Sequence, residues 1–229
     1  MTIKKLLLFD IDGTLLISKG ASRKAKALAM QSVFGTDAGI EKHPFGGKTD
    51  WQILHEVLEP TGITALEIGQ KMPRYQVEFA RQLDRIIGDF PVEALAGAHA
   101  LIDTLHARDT IMLGLVTGNT SATAPIKLRA AGFDPAVFAV GAYGSESDDR
   151  NHLPRLALDR AIGVALHAIA PADVIVIGDT VADVRCARAL GAVAVTVFTG
   201  FEARDALIAA DPDHALDDLT TFIDTVSLD

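Results

Sequence analysis

The sequence predicts a doubly wound α/β fold, a parallel sheet covered by helices, with an all-helical segment inserted after the first strand. Three observations carry this reading. Apolar runs at residues 6–9, 111–116, 174–177 and 193–198 are continuous rather than alternating, so both faces of each strand are expected to be buried. Helical patterns separate the later runs, and alternating strands and helices build a wound α/β layer. Residues 18–90 hold helical patterns and no convincing strand. The expected division is therefore an α/β core, residues 1–17 and 91–229, interrupted by a helical module, residues 18–90.

The first run, Leu6 to Phe9, follows Lys4 and Lys5 and imitates the start of a signal peptide. Asp10 and Asp12 interrupt it before the roughly 7–15 apolar residues that a signal core needs. Residues 22–34 then read as a helix ending at Gly35. A second helix, residues 49–59, opens with Thr49 and Gln52 in capping-box spacing and stops before Pro60. Met72, Tyr75, Phe79, Leu83 and Ile86 recur at three- and four-residue spacing and form one apolar helix face, with Pro73 expected at that helix's start. This stripe suits packing within the module or a dimer surface. A helix over 99–107 precedes the second run; helices over 120–131 and 180–190 follow the second and third runs and stop at Gly132 and Gly191.

Composition narrows the function classes. At 229 residues the chain is about 1.5 times a typical domain of about 150, which fits one domain carrying an insertion. With 49% apolar and 22% charged residues it has the makings of a packed core, so disorder is excluded. The net charge of −9 and the absence of a basic stripe argue against a nucleic-acid partner. Cys186 is the single cysteine, so no intrachain disulfide can form, in keeping with a reducing compartment. No apolar stretch approaches the roughly 18 residues of a membrane helix. A cytoplasmic protein, monomer or homodimer, is expected.

Chemistry concentrates at the ends of the first three runs. They terminate in Asp10-Ile11-Asp12-Gly13-Thr14, in Thr117-Gly118-Asn119, and in Gly178-Asp179-Thr180, with Asp183 four residues after Asp179. Ligands of open α/β sheets bind at the carboxyl ends of strands, so neighbouring strands would bring the three clusters together. Asp10, Asp12, Asp179 and Asp183 would then repel one another unless a hard divalent cation offset them, and oxygen-only sites favour Mg²⁺. Asp10 and Asp12 fall on one side of an extended chain, so one carboxylate could act as nucleophile and the other as proton donor. Gly13, Gly118 and Gly178 allow backbone N–H groups to approach closely, and these with the Thr117 hydroxyl suit phosphate oxygens. Asp and Asn are also common helix caps after strands, but that explains each cluster separately and not all three in order.

These clusters resemble the motifs of the haloacid dehalogenase superfamily of phosphohydrolases. Asp10-Ile11-Asp12-Gly13-Thr14-Leu15 is similar to its first motif, Thr117-Gly118-Asn119 to its second, and Gly178-Asp179-Thr180-Val181-Ala182-Asp183 to its fourth. The helical insert is similar to the cap of the phosphoglycolate phosphatase-like branch. The resemblance implies a core of the superfamily's Rossmann-like type and a Mg²⁺-dependent phosphatase of a small phosphorylated metabolite. Asp10 would form an aspartyl-phosphate. Asp12 would protonate the leaving group and then activate water. Asp10, the backbone carbonyl of Asp12, and Asp179 would hold the metal, with Asp183 supporting the metal or orienting the basic residue. Thr117, Gly118 and Asn119 would hold the phosphoryl group. An acid at Asp12 separates the chain from the dehalogenase and phosphonatase branches. A phosphomutase of the β-phosphoglucomutase type, or a non-turnover phospho-acceptor sensor, would use the same residues.

The resemblance departs at the third motif, normally a lysine. The last lysine of the chain, Lys127, lies only ten residues after Thr117, on the helix that follows the second motif. Arg150 is the first choice for the role and Arg155 the second; an arginine stays charged and can bind phosphate bidentately. Lys48, in Gly46-Gly47-Lys48-Thr49-Asp50, reads either as a substrate-loop cation or as part of a flexible turn before a helix cap. Trp51 is expected in the module's core, and Cys186 as a small buried apolar residue. The histidines lack zinc spacing.

Overall fold

The computed structural model describes residues 2–228. Its main sheet contains β1 (Lys5–Phe9), β4 (Ile111–Thr117), β5 (Val140–Tyr143), β6 (Val174–Gly178), β7 (Val193–Val197) and β8 (His214–Leu216). Their order is β5-β4-β1-β6-β7-β8, every neighbouring pair parallel. The chain runs outward from β1 on one side through β4 and β5, then returns to build β6, β7 and β8 on the other. The ends of β4, β1 and β6 therefore lie side by side.

Strand alternation sorts the core into two layers. Leu7, Phe9, Leu113, Leu115, Ile175 and Ile177 face one helix layer, with residues of α4 (Ala98–His106) and α5 (Ala124–Ala130). Leu6, Leu8, Met112, Val116, Val174 and Val176 face the other, with residues of α6 (Leu153–Ala165) and α7 (Val181–Leu190). Both faces are covered, which is why the strand runs read as continuous apolar segments rather than alternating ones.

Between β1 and β4 come α1 (Ala21–Phe34), α2 (Asp50–Leu58) and α3 (Ala65–Ile86), which share a third hydrophobic cluster. Met72, Tyr75, Phe79 and Leu83 are buried in it. The capping box of α2 is present: Gln52 N–H donates to Thr49 Oγ1 at 3.2 Å, and Thr49 N–H to Gln52 Oε1 at 3.0 Å. A short antiparallel pair, β2 (Leu16–Ile17) with β3 (Glu93–Ala94), joins the chain where it leaves the core to where it returns.

Pro73 does not start the third helix, contrary to expectation; it lies inside the 22-residue α3 and is exposed. The residue four positions earlier, whose carbonyl loses its usual partner and meets the proline ring, is Gly69. The buried face that continues through Met72 and Tyr75 outweighs the local penalty. The helix expected over 120–131 begins only at Ala124. Residues 120–123 form a turn in which Thr120 and Thr123 bond through their own hydroxyls, 2.9 Å apart.

Candidate active site

β1 ends at Phe9, and the Asp10 N–H adds one more ladder bond, to the Ile177 carbonyl at 2.9 Å. The chain then turns sharply. Gly13 adopts φ +87°, and the Asp179 carboxylate occupies the space a Cβ there would need. A glycine at this position is thus required twice, by conformation and by close approach. The turn sets Asp10 and Asp12 on the wall of a cavity of about 730 Å³, together with Thr117, Asn119, Arg150 and Asp179. Ser22, Lys26, Phe45, Asp50 and Ile53 line it from the helical module.

Asp10 is buried. Its Oδ1 accepts the Ile11 N–H at 2.7 Å and its Oδ2 accepts Arg150 Nη2 at 2.9 Å. The same nitrogen donates to Asp183 Oδ1 at 2.5 Å. Asp183 also caps α7, its Oδ2 accepting the Thr180 hydroxyl at 2.7 Å and the Thr180 N–H at 3.1 Å. Arg150 sits on a short 3₁₀ turn, and the Cys186 thiol donates to the Arg150 carbonyl at 3.2 Å. Burial pushes that thiol up to about 12, so Cys186 is an inert packing residue. Arg155, the second choice, is on the surface and pairs with Asp159 at 3.0 Å, whereas Arg150 is buried in the acidic cluster.

Asp10, Asp179 and Asp183 each offer a carboxylate oxygen within 4.8 Å of the others, all three residues buried. One guanidinium faces three carboxylates, so with all three ionised two negative charges stay unbalanced. Burial, opposed by Arg150 and reinforced by Asp183, holds Asp10 above its ordinary value. Burial and then the Asp10 and Asp183 charges hold Asp179 well above its own. The Thr14 hydroxyl donates to Asp179 Oδ1 at 3.0 Å. An all-oxygen set short of positive charge fits a hard divalent cation. The Asp12 carboxylate, expected among the metal-binding residues, is outside this set.

The Asp12 side chain turns elsewhere. Its Oδ2 accepts Lys127 Nζ at 2.6 Å and Asn119 Nδ2 at 2.8 Å, and its Oδ1 accepts the Ser18 hydroxyl at 3.3 Å. The protein atoms around the half-buried Asp12 would raise it by displacing water, but the Lys127 ammonium, with hydrogen bonds from Lys127, Asn119 and Ser18, outweighs this and holds the carboxyl below its ordinary value. Asn119 Nδ2 also donates to Thr117 Oγ1 at 2.8 Å. Sequence reasoning passed over Lys127 as a partner of Asp12. The signal was present: Ala124, Lys127, Leu128 and Ala131 recur at helical spacing, and all four are buried.

Lys48 lines the cavity, but its ammonium lies 2.5 Å from Glu56 Oε2. Its backbone carbonyl presses against Gly118, leaving no room for a Cβ there. Trp51 is half-buried and donates Nε1–H to the Ser145 carbonyl at 3.0 Å, so it ties α2 to the core as well as packing on the helical module. Lys26 and Asp50 form a buried ion pair at the module side of the cavity.

Comparison with known proteins shows what the whole chain is similar to. Over 225 residues the chain is 28% identical to a phosphoglycolate phosphatase from Synechococcus elongatus, covering 96% of each. Among solved structures, a hydrolase from Pseudomonas syringae superposes with a TM-score of 0.68 at 22% identity, over 97% of each chain. CbbY from Rhodobacter sphaeroides, solved in complex with phosphate, gives 0.68 at 16% identity, over 95% of this chain and 96% of its own. Residues 4–191 match the model of the haloacid dehalogenase-like hydrolases, and by that match over most of its length the chain belongs to this family.

Proposed function

We propose that this chain is a Mg²⁺-dependent phosphatase that hydrolyses a small phosphorylated metabolite through an aspartyl-phosphate on Asp10. The carrying observation is the cavity wall, where Asp10, paired with Arg150, faces the same space as a second carboxylate two residues later. The named activity of the Synechococcus relative supports the phosphatase class. Asp10, Asp179 and Asp183, with the Asp12 carbonyl, are the candidate holders of the metal. When bound there, Mg²⁺ neutralises carboxylate and phosphoryl charge so that the two can meet.

The residues divide the chemistry. An Asp10 carboxylate oxygen attacks phosphorus as the bond from phosphorus to the leaving oxygen breaks. Asp12 enters this step protonated, against the pull of Lys127 toward its carboxylate form, and transfers its proton to that oxygen. Asp12, now a carboxylate, takes a proton from the water that attacks the phosphoryl group. The bond from Asp10 to phosphorus breaks, inorganic phosphate leaves, and the Asp10 carboxylate is restored. Thr117, Asn119 and Arg150 position the phosphoryl oxygens, since phosphoryl transfer depends mostly on orientation and charge stabilisation. Residues 18–90 act as a cap that excludes water and selects the substrate; their separate hydrophobic cluster supports this division.

The test is phosphate release from a panel of phosphorylated metabolites, phosphoglycolate among them, with Mg²⁺ and with EDTA. Metal-dependent release is expected, and Asp10→Asn should abolish it while the circular-dichroism spectrum is unchanged. Undiminished turnover in Asp10→Asn would sink the nucleophile assignment.

A further inference from the structure

We infer that Lys127 is a positioning residue for Asp12, holding the proton-transfer carboxylate in its working orientation; this rests on the phosphatase reading above. Lys127 is 2% exposed, on the face of α5 that packs into the core with Ala124 and Leu128. A buried ammonium is costly, and an apolar side chain would pack there without that cost. Its hydrogen bond goes to one oxygen of one carboxylate, Asp12 Oδ2 at 2.6 Å. Asn119 reaches the same oxygen at 2.8 Å.

Two N–H donors on Oδ2 fix the plane of the carboxylate. They leave Oδ1, which accepts only the Ser18 hydroxyl at 3.3 Å among the described residues, as the oxygen open to proton exchange. The Asp12 side chain is 41% exposed, so without the two donors it has room to rotate away from the leaving group. Two cations divide the acids between them: Arg150 holds Asp10 and Asp183, while Lys127 holds Asp12. The two cations come from different elements, α5 and the 3₁₀ turn before α6, so each carboxylate is oriented independently.

Leaving-group dependence separates positioning from general structural support. An alkyl phosphate needs its leaving oxygen protonated, whereas p-nitrophenolate departs without help. kcat/KM reports steps through departure of the leaving group, so it isolates this half of the reaction. With Mg²⁺ present, Lys127→Met should lower kcat/KM about 100-fold for an alkyl monophosphate that the wild type hydrolyses, the scale of one general acid. For p-nitrophenyl phosphate the loss should be under about 5-fold, because that ester makes little demand on the acid. Lys127→Arg, which keeps charge and donors, should restore most of the alkyl-phosphate rate.

Equal losses on the two esters, or no loss on either, would overturn the inference. If circular dichroism shows Lys127→Met unfolded, Lys127→Gln, which keeps a donor and removes the charge, is judged by the same ratio. Wild-type failure to release phosphate from every ester of the metabolite panel and from p-nitrophenyl phosphate would instead overturn the phosphatase reading, and this inference with it.

Discussion

Arg150 dominates the electrostatics of the cluster, because among the described residues it is the one cation paired with it, through Asp10 and Asp183, two of its three carboxylates. Replacing it with methionine leaves those charges buried and unpaired. The expected cost is about 3–5 kcal/mol of stability, measured by urea denaturation, the scale for breaking a buried ion pair from one side. If Arg150 positions the phosphoryl group as proposed, its loss should also lower kcat by about 100-fold or more in a phosphate-release assay. Asp10 and Asp179 set the pH dependence. Burial holds both above their ordinary values, so they take up protons at a higher pH than free carboxylates. A metal binds the deprotonated form, and its affinity must therefore fall as pH falls through those raised values. Calorimetric titration with Mg²⁺ in a neutral and an acidic buffer should show weaker binding in the acidic one. Equal affinity in the two would contradict the shift.

Elements show where local preference and packing agree and where they compete. At α2 they agree: Thr49 is fully buried and both halves of its capping box form. Thr49→Ala should lower stability by about 1 kcal/mol in a denaturant titration. At α3 they compete, and packing wins. Pro73 removes a helix hydrogen bond in mid-helix, yet the apolar face of Met72, Tyr75, Phe79 and Leu83 runs through it onto α1. Because Pro73 is exposed, Pro73→Ala should relieve that penalty without disturbing the buried face, raising stability by about 1–3 kcal/mol. A fall in the thermal midpoint would show that the proline is compensated by something other than packing.

In the molecule as a whole, the candidate cavity is lined both from the ends of the sheet strands and from the helices between β1 and β4. The Trp51 indole on the Ser145 carbonyl, the Lys48 backbone against Gly118, and the β2–β3 pair join the two layers around the cavity. A cation held by the acid cluster binds the folded state alone. Mg²⁺ at about 100 times its dissociation constant should therefore stabilise the fold by about 2.7 kcal/mol, and EDTA should reverse the rise in thermal midpoint. Asp179→Asn should shrink that shift, since it removes a carboxylate from the cluster.

The sequence by itself determined the wound α/β class, the order of the polar tips and the helical character of the insert. These follow from short-range rules: uninterrupted apolar runs mark strands covered on both faces, and glycines and capping residues mark where they turn. β5 and β8 escaped notice because they are short, four and three residues, and β5 contains Gly141. Pro73 and the start of α5 were misjudged because tertiary contacts and threonine hydroxyls override local preference there. Arg150 and Arg155 have the same chemistry and neighbouring positions, and only the tertiary structure separated them. Arg150 lies within reach of Asp10, 140 residues away, and of Asp183, while Arg155 points to the surface. Lys127 was visible as a lysine on an apolar helix face, but its partner lies 115 residues earlier in the chain. Pairings across such distances are decided by strand order and helix packing, and no local pattern in the sequence encodes them.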